Sequence, residues 1–329
     1  MSVVLIGCAG FAIAGQEPIE MMREAGFTVR EPDYSPGELN RNVQEFCRII
    51  QGVEVLVVSG AEKVPRSVIE SADCLKMITL RGSGYDAVDL EAATERGILV
   101  TRNPDTNTKA VADMAFGLML AVSRKIAWMD RGMREEKYSE LRVVTFDLYE
   151  KTLGIIGLGR IGKTVALRAG GFDMNVLYHD LVEYPEFARA HGLEKVSLER
   201  LLEACDVVTL HLPLDESTRN IMSEEHIRMM KPGAILINTA RGGLVDEKAL
   251  YAALKGDRLY GYGADVHQTE PPEFMDLHRL ENVVTTPHMA GVSKNALINM
   301  AMGCAEKMIQ YVVRKEIPDD VLNPAVLGG

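Results

Sequence analysis

The stretch Leu153 to Asp180, LGIIGLGRIGKTVALRAGGFDMNVLYHD, constrains this chain more than any other. An apolar run ends in Gly157, Gly159 and Gly162. A helix-like segment and a second apolar run follow, and a carboxylate, Asp180, stands eighteen residues beyond the last glycine. Each glycine has a physical task. Gly157 makes a tight turn, Gly159 lets the backbone approach a pyrophosphate, and Gly162 allows close packing of helix on strand. The free N–H groups and positive dipole of the helix start stabilise phosphate charge. Asp180, closing the second strand, can accept from ribose hydroxyls and would repel a 2′-phosphate, and no Arg or Lys follows in DLVEY. The stretch therefore predicts a dinucleotide site for NAD rather than NADP. A glycine-rich turn without a ligand is the alternative, and the strand, helix and carboxylate in register weigh against it.

The same alternation runs through the chain. In the first third, VVLIG, VEVLVVSG and LKMITLRGSG are β-branched runs, with helical stretches such as GELNRNVQEFCRII between them. From Leu153 onward, the strands LGIIGLG, MNVLYHD, VVTLHLPL, AILINTA, YGYGADV and NVVTTPH alternate with helix-like segments. Ser197 and Asp246 stand at two of the helix starts. This pattern predicts a parallel α/β fold. A length of 329 residues exceeds what one core usually serves, so two domains are expected. VTRNPDTNTKA, with its proline and turn formers, reads as a crossing point. The last helix, from about Ser293, is expected to return to the first third. The organisation is then a nucleotide-type domain, residues 104–291, inserted into a discontinuous one, residues 1–103 and 292–329. Val111, Met114, Ala115, Leu118, Met119 and Val122 form one helical stripe, which serves either the core or a subunit interface.

Composition removes several classes. Lys+Arg is 36 and Asp+Glu 47, a net charge of −11, which argues against nucleic acid and against an anionic membrane surface. The five cysteines, Cys8, Cys47, Cys74, Cys205 and Cys304, are scattered with no CxxC, which points to a reducing, cytoplasmic setting. The seven histidines include no HExxH, so no catalytic metal is expected. In MSVVLIGCAGFAIAG no cation precedes the apolar run and glycines break it, so a buried strand is favoured over a secretion signal. No other run approaches the ~18 apolar residues of a membrane helix.

Three reactive residues follow strands in the second half: Arg241 after AILINTA, Glu270 just beyond YGYGADV, and His288 at the end of NVVTTPH. Parallel sheets bind ligands beyond such strand ends. Each residue has a plainer explanation, as a surface ion pair, a solvated loop acid and a helix-start residue. Together they suit hydride transfer between a hydroxy acid and nicotinamide. Arginine's planar fork holds a carboxylate and polarises a carbonyl. A histidine moves a proton near neutral pH, and a neighbouring carboxylate favours its charged form.

Taken together, LGIIGLGRIGKTVA, LHLPLDESTRNIM, MKPGAILINTARGGLVDEKAL, GADVHQTEPP and VVTTPHMAG resemble the D-isomer-specific 2-hydroxyacid dehydrogenases over about residues 50–329. The resemblance implies a Rossmann-type doubly wound parallel sheet domain inserted into a smaller flavodoxin-like α/β substrate domain. It implies an NAD-dependent oxidoreductase interconverting a small D-2-hydroxy acid and its 2-keto acid. Arg241 would be the substrate arginine, Glu270 the partner acid and His288 the acid/base. Arg160 and Ile161 would meet the pyrophosphate and Asp180 the ribose. Leu212, Pro213, Thr239, Ala240 and Ala290 would flank the cofactor, and Asp265 would bind the nicotinamide carboxamide. The amides near Ser83 and Gly84, in RGSGYDAVDL, would hold the substrate carboxylate. A homodimer through the Asn107–Trp128 region is also implied. Long phosphoglycerate dehydrogenases carry C-terminal regulatory domains, whereas this chain ends soon after its last helix. They also place an arginine where this chain has Ser59, which weakens the case for a phosphorylated substrate. Arg81 offers a second cation or a surface charge, and the Gly7–Gly15 loop matches the family poorly. Two other readings stand beside the leading one: an NAD-sensing protein of the corepressor type, and a dehydrogenase of formate or phosphite.

Overall fold

A computed structural model of the chain describes residues 2–8, 11–31 and 38–328. Two compact units emerge, one from residues 1–107 and 291–329, the other from residues 108–290.

The first unit is built on β1 (Val3–Ile6), β2 (Thr28–Arg30), β3 (Val55–Val58), β4 (Met77–Leu80) and β5 (Leu99–Arg102). All pairings are parallel, in the order β2-β1-β3-β4-β5, the flavodoxin-like arrangement. VLVV and MITL are buried along their whole length, as parallel strands covered on both faces must be. On one face Val4, Ile6, Val55, Val57 and Met77 pack with Ala301, Cys304, Ala305 and Met308 of the helix Lys294–Met308. The Ser293 side chain accepts from the Ala296 amide at the start of that helix. On the other face Leu56, Val58, Ile78 and Leu80 meet Phe46, Val68 and Ala92.

The structure departs from the sequence pattern at three places. GELNRNVQEFCRII is not one helix: helices span Glu38–Arg41 and Val43–Ile49, because the Asn42 side chain accepts from the Glu45 amide and starts a new one. VTRNPDTNTKA is not wholly a crossing segment: it opens inside β5, and its last residues begin the helix Thr108–Ser123. β2 escapes the pattern because it has three residues at a sheet edge, two of them exposed. Within the Gly7–Gly15 loop, residues 9 and 10 lie outside the described residues, and Phe11–Ala14 form a 3₁₀ turn.

The second unit carries β6 (Thr152–Ile156), β7 (Asn175–His179), β8 (Glu194–Lys195), β9 (Val207–Leu210), β10 (Ile235–Asn238), β11 (Gly261–Ala264) and β12 (Val283–Thr285). They are parallel in the order β12-β11-β10-β9-β6-β7-β8, a doubly wound sheet that reverses direction between β6 and β9. Ser197, Ser223 and Asp246 cap its helices, accepting from the amides of Arg200, His226 and Ala249. Ala115, Leu118, Met119 and Val122 sit in the core with Leu153, Ile155, Ile235 and Ile237, so the helical stripe is core and not a free surface. β11 reads GYGA for that reason: a Cβ on Gly261 would lie 2.5 Å from Val122 and one on Gly263 3.0 Å from Leu118. Exposed apolar side chains follow in the next stretch, Ile126, Met133, Tyr138, Tyr149 and above all Val144, which is 96% exposed, and Leu181 is exposed as well.

Among the described residues no group of three or more His, Cys, Asp or Glu could hold a metal ion, and no helix is long and apolar enough to cross a membrane.

Candidate active site

The turn after β6 is held open by its lack of side chains. Gly157 adopts φ +95°, and a Cβ there would lie 2.6 Å from the His211 carbonyl oxygen just beyond β9. A Cβ on Gly162 would lie 2.1 Å from the Gly157 oxygen. Only glycine permits either approach. Gly159 differs: nothing lies within 4 Å of its Cβ position. It is the N-cap of the ten-residue helix Arg160–Ala169, and no side chain caps that helix. The result is a bare cradle at a positive helix end, which fits a pyrophosphate. Arg160 and Ile161 are the first two residues of that helix.

Asp180 follows β7 directly. Its carboxylate accepts from the Leu158 amide at 2.6 Å and the Val182 amide at 2.8 Å, which ties it to the glycine turn. Each oxygen retains capacity for a further donor. His211 and Thr239, just past β9 and β10, each carry a buried side-chain atom with no partner among the described residues, Nδ1 and Oγ1. Burial pushes the His211 pKa down to about 3, so its ring is neutral. Leu212, Pro213 and Ala240 follow these two residues. The expected cofactor residues thus fall along one sheet edge at the ends of β6, β7, β9 and β10, and unpaired polar atoms there suit a polar ligand.

Asp265, directly after β11, is fully buried. Its side chain accepts from the amides of Met289 and Ala290, both at 2.7 Å, and from the Thr286 hydroxyl. Its backbone carbonyl accepts from the His288 amide at 2.8 Å. One residue therefore pins the 286–290 loop and holds His288 at φ +55°, a conformation unusual for a residue with a Cβ. A buried carboxylate requires such donors. In this structure Asp265 acts first on the histidine loop, a task that the expected carboxamide contact did not suggest.

His288 Nδ1 lies 2.8 Å from Glu270 Oε2, and each side chain is roughly half exposed, at 50% and 41%. Glu270 Oε1 also accepts from the His267 amide at 3.3 Å. The hydrogen bond to Glu270 raises the His288 pKa. Burial opposes it, the charges of Glu270 and Asp265 add to it, and Arg241 opposes it. Burial pushes the Glu270 carboxyl up, but the hydrogen bond and charge of His288, with the His267 amide, bring it below the usual value. With Nδ1 engaged by the carboxylate, Nε2 is the ring nitrogen left for a ligand.

Arg241 follows β10 through Ala240, whose carbonyl accepts from Arg241 Nη1 at 2.8 Å. The buried Asn238 side chain shapes this turn: its Nδ2 donates to the Arg241 carbonyl at 2.9 Å and its Oδ1 accepts from the Ala240 amide at 3.0 Å. A Cβ on Gly242 would lie 2.0 Å from the His267 carbonyl, so the turn rests directly on the segment leading to Glu270. Asn238 and Gly242 were not anticipated. Their signals were an amide ending an otherwise apolar strand and a glycine pair after the arginine. Ser83 and Gly84 belong to the first unit, in the loop after β4. There the Ser83 hydroxyl lies 3.5 Å from Asn107 Oδ1.

A carboxylate that favours the charged form of a histidine, on the same sheet edge as a cradle suited to a pyrophosphate, fits a nicotinamide-dependent oxidoreductase. Comparison with known proteins is more specific. The family model for the NAD binding domain of D-isomer specific 2-hydroxyacid dehydrogenases matches residues 116–290, and the chain belongs to that family. Glyoxylate reductase of Korarchaeum cryptofilum is 42% identical over 84% of this chain and 85% of its own length. D-3-phosphoglycerate dehydrogenase of Methanocaldococcus jannaschii is also 42% identical, over 85% of this chain but 53% of its own length. The crystal structure of D-lactate dehydrogenase from Aquifex aeolicus, complexed with NAD and lactic acid, superposes with a TM-score of 0.82 at 26% identity, covering 98% of this chain and 99% of that one.

Proposed function

We propose that this chain interconverts a small D-2-hydroxy acid and its 2-keto acid, with residues 108–290 as the NAD-binding domain and residues 1–107 with 291–329 as the substrate domain. The observation that carries this is the 2.8 Å pair between His288 and Glu270, which favours the charged form of the ring on the sheet edge that carries the dinucleotide cradle. Bound NAD(H) supplies or takes the hydride. Arg160, Ile161, Asp180, Leu212, Pro213, Thr239, Ala240 and Ala290 flank it, and Asp265 adds a contact near the nicotinamide while pinning the loop. In the reductive direction charged His288 gives its Nε2 proton to the carbonyl oxygen of the keto acid, and in oxidation the neutral ring takes it back. Glu270 stabilises the imidazolium. Arg241 holds the substrate carboxylate and polarises the carbonyl, and the amides near Ser83 and Gly84 are the carboxylate donors that the first unit offers.

The chain acts as a homodimer in this reading, through the exposed apolar residues of 126–149, and in a reducing cytoplasm, which its free cysteines suit. A monomer mass in solution would contradict the first point. The activity is tested by following NADH absorbance with purified protein and a panel of 2-keto acids. Turnover of at least one supports the assignment, and tight NADH binding with no turnover on any acid overturns it.

A further inference from the structure

The acid and the base of the site sit on separate loops, Glu270 after β11 and His288 after β12, and a short turn joins them. That turn is His267 and Gln268. The His267 amide donates to Glu270 Oε1 at 3.3 Å. The buried His267 ring places Nε2 3.0 Å from the Thr286 carbonyl oxygen. A carbonyl only accepts, so Nε2 carries the hydrogen and ties the turn to the loop of His288. Gly242, next to Arg241, packs against the His267 carbonyl and the Gln268 amide so closely that no Cβ fits between them. The Gln268 amide itself donates to Glu247 Oε1 at 2.9 Å. Glu247 is only 7% exposed and opens the helix Glu247–Lys255, whose start is capped by Asp246. Burial lowers the His278 pKa and raises that of Tyr262, and the Glu247 charge pushes both upward. Burying a carboxylate is costly unless its donors stay in place, so the pairing locks the turn to a helix.

We propose that Glu247 is a positioning residue for the proton transfer: by holding the Gln268 amide it sets where the Glu270 carboxylate meets His288. This rests on the reading of His288 as the acid/base. Glu247 acts through its reach and not through its charge. The charges that act on the His288 ring are those of Glu270, Asp265 and Arg241. Without Glu247, the His267 ring and the Gly242 contact alone would hold the turn. Of the two contacts that Glu270 makes, the one to the turn is the longer, 3.3 Å against 2.8 Å, and would loosen first. Glu270 would then meet His288 Nδ1 less often, and the ring would lose part of what favours its charged form.

Two substitutions separate reach from charge. Glu247→Asp keeps the charge and shortens the side chain by one methylene, so the amide is released. Glu247→Gln removes the charge and keeps an oxygen at the same reach. Reductive kcat and KM on an accepted 2-keto acid are measured against pH, with the NADH dissociation constant beside them. Glu247→Asp is expected to lower kcat by about tenfold, within the ~10²-fold that a misplaced catalytic group can lose, with KM and NADH binding changed by no more than about twofold. Its high-pH limb is expected to move to lower pH, because the hydrogen bond that raises His288 is weakened. Glu247→Gln is expected to recover kcat to within about threefold of the unaltered chain, with the limb in its original place. A limb displaced by Glu247→Gln overturns the inference, because charge would then be the cause. So does a limb that Glu247→Asp leaves in place, whatever that variant does to stability. Turnover by the unaltered chain with either of those results leaves the proposed reaction standing, whereas no turnover on any acid removes both. Thermal melting checks that the variants fold, and if Glu247→Asp does not, Glu247→Met, which fills the space without an acceptor, takes its place under the same expectation.

Discussion

Both units end their parallel strands on an edge that carries polar residues, yet the two edges are built differently. At the edge of the second sheet, glycines clear space, and backbone amides and the Asp265 carboxylate lock a histidine loop in place. At the edge of the first, Glu62 is buried against Ser59 after β3, and Arg81 after β4 has a buried Nε with no partner among the described residues. The first kind of edge suits a ligand that never changes, whose phosphates can be met by fixed N–H groups. The second suits a ligand that varies between enzymes, because a single substitution retunes it.

The largest expected effect sharpens the chemical side. Arg241→Ala removes the cation expected to hold the substrate carboxylate, and kcat/KM for any accepted acid should fall by about 10³-fold, since the lost donors act on developing charge. Steady-state kinetics checks this, and a loss confined to tenfold would move Arg241 out of the site.

Next comes a pair of glycine substitutions. Gly162→Ala places a methyl group 2.1 Å from the Gly157 oxygen and should lower the melting temperature by several degrees. Gly159→Ala meets nothing within 4 Å and should leave the melting temperature unchanged while weakening NADH by about tenfold, because the methyl enters the phosphate cradle. Equal effects on stability and binding in both would break the distinction between packing glycine and cradle glycine.

Much of the second edge was legible because its constraints are local. A turn at φ +95° and two approaches closer than any Cβ allows leave glycine alone as the residue at Gly157 and Gly162, so spacing reports geometry directly. The first edge was not legible in that way. Glu62 reads as one more surface acid in GAEKV, and only the fold buries it against Ser59. The stripe Val111–Val122 shows the opposite limit: its period reported a helix face correctly but not that the unit's own core covers that face. The roles of Asn238 and Thr286 depend on partners across a turn or between strands, which periodicity does not encode.

Glu270→Gln should give a smaller and more diagnostic effect. Because Glu270 raises His288, reductive turnover by the charged ring is expected to persist to a pH above 6.5, the ordinary histidine value, and to fall as pH rises through the raised one. Without the carboxylate that limb should move to lower pH, as expected for loss of one close opposite charge. The pair's contribution to stability has the same logic. The histidine's part is present below 6.5 and lost as pH rises through its raised value. The carboxylate's part is present above 4.5 and lost as pH falls through its lowered value. A pH profile that Glu270→Gln leaves in place would mean that the 2.8 Å contact does not tune the ring.

Whether His288 carries the proton of the reaction is read from the reductive kcat of His288→Ala on an accepted 2-keto acid alongside its NADH dissociation constant. If it does, kcat falls by about 10³-fold, within the range for loss of a general acid, and NADH binding changes by no more than about threefold. Activity retained within tenfold of the unaltered chain, with NADH bound normally, would contradict it.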